Sequence, residues 1–120
     1  MAHYVDGFVL PVPKGKIADY RRMAKKAGQV WIEHGALAFR EHVADDVKPG
    51  KNTSFPQAVK LKRGEVVVFS WIVFKSRKDR DRVNARVMSD PRLEKMMDAK
   101  SMPFDSTRMF WGGFKSLVEL

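Results

Sequence analysis

The chain of 120 residues contains no cysteine. That excludes disulfides, thiol nucleophiles and thiolate-held zinc or iron–sulfur centres. No apolar run approaches the ~20 residues needed to cross a bilayer. The first residues show no charged, apolar and small-residue succession of an export signal, so a cytoplasmic protein is expected. Glycine-rich phosphate loops, a nucleophile elbow and a paired-histidine metalloprotease motif are missing too, which leaves phosphoryl transfer and serine hydrolysis without support. Three histidines, at positions 3, 34 and 42, show no ligand spacing. No metal and no cofactor are therefore expected. No repeat, low-complexity tract or linker divides the chain, so residues 1–120 are read as a single domain.

What is present is positive charge, a formal +9. It is localised. Residues 14–26 hold six Lys or Arg against Asp19, and residues 75–100 hold nine against five acids. Both stretches read as helices. The excess therefore decorates helix surfaces, where a solvated face is the ordinary explanation.

The stretch GEVVVFSWIVF, Gly64 to Phe74, sets the architectural problem. Side chains of a strand alternate between faces. Val67, Phe69, Trp71 and Val73 fall on one, and Val66, Val68, Ile72 and Phe74 on the other. Both faces are apolar, so both need cover. Upstream, His3–Val12 reads as a strand ended by Pro11 and Pro13. Ile17, Tyr20, Ala24, Ala27, Trp31 and His34 then form a helical stripe closed by Gly35. Leu37–Val43 is a second strand. Residues 45–63 are irregular, with Ser54 placed to cap a short helical turn. Ser76 caps a helix whose apolar edge is Val83, Val87 and Met88. Asp90-Pro91 starts a short helix with Leu93, Met96 and Met97. Arg108–Val118 reads as the last strand.

The order strand, helix, strand, strand, helix, strand is that of an α+β, ferredoxin-like domain with a four-stranded antiparallel sheet and both helices on one face. The open face would then expose half of GEVVVFSWIVF, which is unusual for a monomer. A second copy packed face to face answers this, giving a homodimer through the open sheet face, a dimeric α/β barrel.

The segments YVDGFVLPVP, EVVVFSWIVF, MSDPR and, above all, MPFDSTRMFWGGF resemble the YbaA-like family of small bacterial proteins. The resemblance covers nearly the whole chain. It implies the two-sheet dimer of the dimeric α/β-barrel superfamily, whose members include cofactor-independent monooxygenases, haem proteins and isomerases. It implies no reaction and no catalytic residues, because fold does not fix function. In the family pattern a cysteine follows the glutamate of the second strand. His42 stands there here, so chemistry resting on that thiol is not expected.

Two carboxylates sit on apolar strand faces, Asp6 beside Tyr4, Phe8 and Leu10, and Glu41 beside Leu37, Phe39 and Val43. Such a group needs a partner or its pKa rises. Arg108, Arg40 and His42 are the candidate partners. Asp6 and Glu41 are thus candidate bases, or else members of buried ion pairs or an interface. His34, Trp71, Arg108 and Trp111 are the candidate ligand-binding residues, Arg108 for an anion and the tryptophans for a flat ring. Each also has an ordinary structural reading, as a helix terminus, an ion pair or core packing. Gly112-Gly113 beside Trp111 leaves room either for a ligand or for another chain.

Two functions follow. One is a homodimer that binds or transforms a small aromatic or anionic molecule without metal or cofactor; whether it is an enzyme stays open. The alternative is a non-catalytic interaction protein whose basic helices meet nucleic acid or an acidic partner. The third strand is too apolar for an open RNA platform and lacks the RNA-recognition stacking pattern, so nucleic acid is the weaker reading.

Overall fold

The computed structural model describes residues 2–98 and 102–120. Its strands are β1 (Tyr4–Pro13), β2 (Ala38–Val43), β3 (Glu65–Phe74) and β4 (Phe110–Lys115). Its α-helices are α1 (Ile17–Glu33), α2 (Phe55–Ala58), α3 (Arg77–Met88) and α4 (Pro91–Met96). All strand pairs are antiparallel and the sheet runs β2-β3-β1-β4. This is the ferredoxin-like order expected from the sequence.

Local chemistry accounts for the boundaries. β1 runs through Pro11 to Pro13 instead of ending at Val12. Its pairing with β4 stops at Val9, opposite Phe110, so beyond that point β1 has only β3 beside it. A proline is tolerated where one side of a strand has no ladder to feed. Two residues past the end of α1 lies Gly35, which closes the helix with a φ of +119° that only glycine adopts without strain. The Ser54, Ser76 and Asp90 side chains accept hydrogen bonds from the backbone N–H of Gln57, Asp79 and Arg92 and so start α2, α3 and α4. β4 is shorter than the expected Arg108–Val118. Asp105 caps a turn of 3-10 helix over Ser106–Arg108 before it, and Leu117, Val118 and Leu120 after it are exposed.

The helix-facing side of the sheet carries two core clusters. One gathers Phe74, Ile72, Val30, Val83, Val87 and Leu93; the other gathers Leu10, Val12, Val68, Tyr20 and Ala24. α1 approaches β2 closely at Gly28, where a Cβ would lie 2.6 Å from the Phe39 ring. The opposite face is only partly covered by its own chain. Val59, just after α2, is buried with Val9 and Val67. Phe69, Phe110 and Phe114 on that face remain exposed, Phe114 at 64%.

Candidate functional site

Between the two core clusters the helices and the sheet do not close. The gap is a cavity of about 270 Å³. Its floor is two rows of side chains across the sheet. One row runs Phe39, Ile72, Asp6 and the next Glu41, Ser70, Phe8, Trp111. α1 supplies Tyr20, Met23, Ala24, Ala27 and Trp31. The remaining wall includes Met88, Met97, Met102, Phe104 and Met109. Five of the seven methionines therefore line one cavity. Unbranched, polarisable thioethers adapt to a guest's shape and favour contact with aromatic rings. The aromatic walls are themselves packed: Phe8 stacks on Trp111 with centroids 6.1 Å apart, and Trp31 lies 5.9 Å from Phe39.

Two carboxylates break this apolar lining. Asp6 is 1% exposed. Arg80 donates from Nη1 to Asp6 Oδ1 at 2.7 Å, and Asn84 donates from Nδ2 to Asp6 Oδ2 at 3.3 Å. Trp31 Nε1–H in turn holds Asn84 Oδ1 at 3.0 Å. Arg80 also pairs with Asp81 and lies 4.9 Å from the centre of the Tyr4 ring. Burial raises the Asp6 pKa, opposed by Asn84 and Arg80. Among the described residues no Lys or Arg pairs with Glu41, though His42, next to it in β2, favours its charged form. It accepts the Tyr20 hydroxyl at 2.8 Å and a hydrogen bond from Ser70. Burial raises its pKa and lifts the Tyr20 pKa as well.

The separation of these two groups decides what they can do together. They lie two strands apart and two residues apart along the sheet. At about 4.8 Å per strand and about 3.4 Å per residue, the two Cα atoms are about 12 Å apart. They cannot share a proton as a carboxylate dyad does. They can hold two parts of one molecule lying between them.

The partners expected for these acids are not the ones found. Arg108, Arg40 and His42 do not pair with Asp6 or Glu41; Arg80, Asn84, Tyr20 and Ser70 do. Arg40 and His42 point to the open face, because β2 alternates. Arg108 lies outside the cavity lining. Its guanidinium grips Glu65 through two bonds of 2.7 and 2.6 Å and Asp105 through a third of 3.0 Å. It staples the turn before β4 to the start of β3. His34, also outside the cavity, places Nε2 2.9 Å from Asp90 Oδ2, joining the end of α1 to the cap of α4.

Trp111 and Trp71 both border the cavity. Trp111 is nonetheless 58% exposed, and the Trp71 ring faces the open side, stacked 4.4 Å from His42. His42 Nδ1 carries a proton, since it lies 3.0 Å from the Phe69 carbonyl oxygen, which can only accept. A cysteine in its place would also look away from the cavity. Gly113 makes room for neither ligand nor partner. A Cβ there would run into the Tyr4 hydroxyl and come within 2.9 Å of Arg80 Nη1. Arg80 and Asn84 escaped the sequence reading, although they sit at i and i+4 flanking buried Val83 on α3. That spacing next to an apolar edge is the signal that could have found them.

The profile of the DUF1428 family, described as proteins of unknown function, matches residues 3–106. This chain belongs to that family. Over 116 residues it is 49% identical to the "uncharacterized protein YbaA" of Escherichia coli K12, covering 97% of each chain, and equally so to YbaA of Shigella flexneri. Among solved structures, a NIPSNAP family protein with unknown function from Agrobacterium tumefaciens C58 is similar over 95% of this chain and 87% of its own, with a TM-score of 0.59 and 14% identity. A dimeric ferredoxin-like protein from an uncultured marine organism is similar over 100% and 98%, with a TM-score of 0.56 and 12% identity. At such identities the likeness is one of fold. The DUF1428 chain has no described helix long and apolar enough to cross a membrane, and no described cluster of His, Asp and Glu suited to a metal ion.

Proposed function

We propose that this protein binds a small, flat, aromatic molecule in the cavity between sheet and helices, as a homodimer joined through the open sheet face, with Glu41 as the base that takes a proton from the bound molecule's hydroxyl. The observation that carries the reading is the cavity of about 270 Å³, walled by methionines and aromatic rings and interrupted by one buried and one half-buried carboxylate. A concave, largely apolar space with a few convergent polar groups is the usual form of a ligand site. Its carboxylates accept hydrogen bonds when ionised, which favours a guest with O–H or N–H groups. A raised pKa brings Glu41 nearer neutrality and makes it a better base than an exposed glutamate. Asp6 is already neutralised by Arg80 and is assigned the positioning role.

The dimer is supported by the exposed Phe69, Phe110 and Phe114 around half-buried Trp71, and by the description of the ferredoxin-like neighbour as dimeric. The alternative of basic helices meeting nucleic acid has less support. Arg80, Arg82 and Arg92 of α3 and α4 are each engaged by carboxylates.

Native mass spectrometry of the protein freshly purified from cells tests the reading. The expected result is a dimer carrying an added small mass that disappears in Ala27→Phe, whose ring would fill the cavity from α1. An added mass that Ala27→Phe leaves in place would overturn the site, and a monomer would overturn the assembly.

A further inference from the structure

At the β2 side the cavity shares a wall with a second space. Tyr20, Ala24, Phe39 and Glu41 line both the cavity and this second space, a groove of about 550 Å³ between α1 and β2. β2 is an edge strand, so this groove opens at the margin of the sheet. Its outer wall carries Arg21 and Lys25, at i and i+4 on one face of α1. Both are exposed, and among the described residues no carboxylate lies within ion-pair distance of either. That sets them apart from Arg80, Arg82, Arg92 and Arg108, whose charges are met within the fold. The one acid lining the groove, Glu41, is occupied by Tyr20.

We infer that the groove is an anion subsite and that the ligand is an amphipathic aromatic acid. Its flat apolar body occupies the cavity, and its carboxylate, sulfonate or phosphate-type group lies between Arg21 and Lys25. The inference rests on the cavity reading above and adds the ligand's charge and direction. Among the described residues the cavity lining holds no Lys or Arg, and Arg80 behind it is committed to Asp6, so the charged end of an acid is drawn toward the groove. Glu41 and Tyr20 stand where ring and charged end meet, which places the hydroxyl that gives its proton to Glu41 on the ring edge nearest the acid group.

The test uses two dyes that share an arylaminonaphthalene body, anilinonaphthalene sulfonate and the neutral N-phenylnaphthylamine. Both brighten in apolar surroundings. The sulfonate is expected to bind the wild-type protein more tightly, and added salt to weaken it alone. Exposed charge pairs are individually modest, so the double reversal Arg21→Glu with Lys25→Glu is expected to cost the sulfonate about 10-fold in affinity and the neutral dye less than about 2-fold. The same charge change placed at Lys48→Glu and Lys51→Glu, outside the groove, is expected to alter neither. Unchanged sulfonate binding in the groove double variant, or an equal loss in the control, overturns the anion subsite and leaves the cavity reading standing. Binding of neither dye, or neutral-dye binding that Ala27→Phe leaves intact, overturns the cavity reading and this inference with it.

Discussion

At the scale of the residue, the site rests on how a buried acid, Asp6, and a half-buried one, Glu41, are compensated. Asp6 has an arginine partner, and among the described residues Glu41 pairs with no Lys or Arg. Removing Arg80 would strand a carboxylate in the core, so Arg80→Met is expected to cost about 3–5 kcal/mol. Asp6→Asn is expected to cost less, because Arg80 keeps Asp81 and some solvent. Equilibrium urea unfolding of both variants checks the order, and equal costs would contradict it. Glu41 and pH give a second prediction. Its folded pKa is raised, so the folded state holds the proton at pH values where the unfolded chain has lost it. Below the ordinary glutamate range both states are protonated and nothing is lost. As pH rises from the unfolded to the folded pKa, stability drains away, and above it the loss is complete. Glu41→Gln removes this drain. Relative to wild type the variant is therefore expected to gain stability between acidic and neutral pH; a difference that is flat or opposite in slope in pH-dependent melts would refute it. Carboxylates with lowered pKa act the other way. Asp105, held down to about 2 first by Thr107 and then by Arg108, contributes stability above the ordinary aspartate range that is lost in acid. At this scale the sequence showed that Asp6 and Glu41 needed partners. It did not show which, because Arg80 and Asn84 are 74 and 78 positions away from Asp6.

At the scale of the element, helix starts were legible because capping is local. Ser54, Ser76 and Asp90 do in the structure what their side chains do in short peptides. α3 depends on this more than α1, since it buries only Val83 and Val87. Ser76→Ala is expected to destabilise the protein by about 1 kcal/mol, and Ser76→Gly by only a few tenths. Thermal denaturation of the two variants checks this, and equal losses would mean that α3 is held by packing alone. Strand ends were less legible. β1 overran its prolines, and β4 stopped short, because both limits are set by where a neighbouring strand ends. The stripe on α1 was correct for Tyr20 and Ala24, yet it omitted Gly28 and Val30, which are also buried. A glycine that exists to admit the Phe39 ring carries no periodic signal.

At the scale of the whole molecule, the question is what covers the second face of GEVVVFSWIVF. Val67 is covered within the chain by Val59 and Val9. Phe69, Phe110 and Phe114 are not. Placing charge on such a patch would expel a twin sheet without touching the core. Phe114→Glu is accordingly expected to turn a dimer into a folded monomer, read by sedimentation velocity alongside circular dichroism. A wild-type protein that sediments as a monomer, or a variant that stays dimeric, would place the interface elsewhere. The sequence by itself determined the class of fold, the order of its elements, most helix starts and the need for cover on both sides of β3, since these follow from periodicity, capping and apolar count along a continuous stretch of chain. Tertiary structure alone decided that Arg108 and His34 are staples, that Arg80 and Asn84 serve Asp6, and that five methionines and a row of aromatics enclose one cavity. Those facts depend on which distant residues meet across the gap between two core clusters, and a gap is a property of packing in three dimensions that leaves no trace in the order of residues.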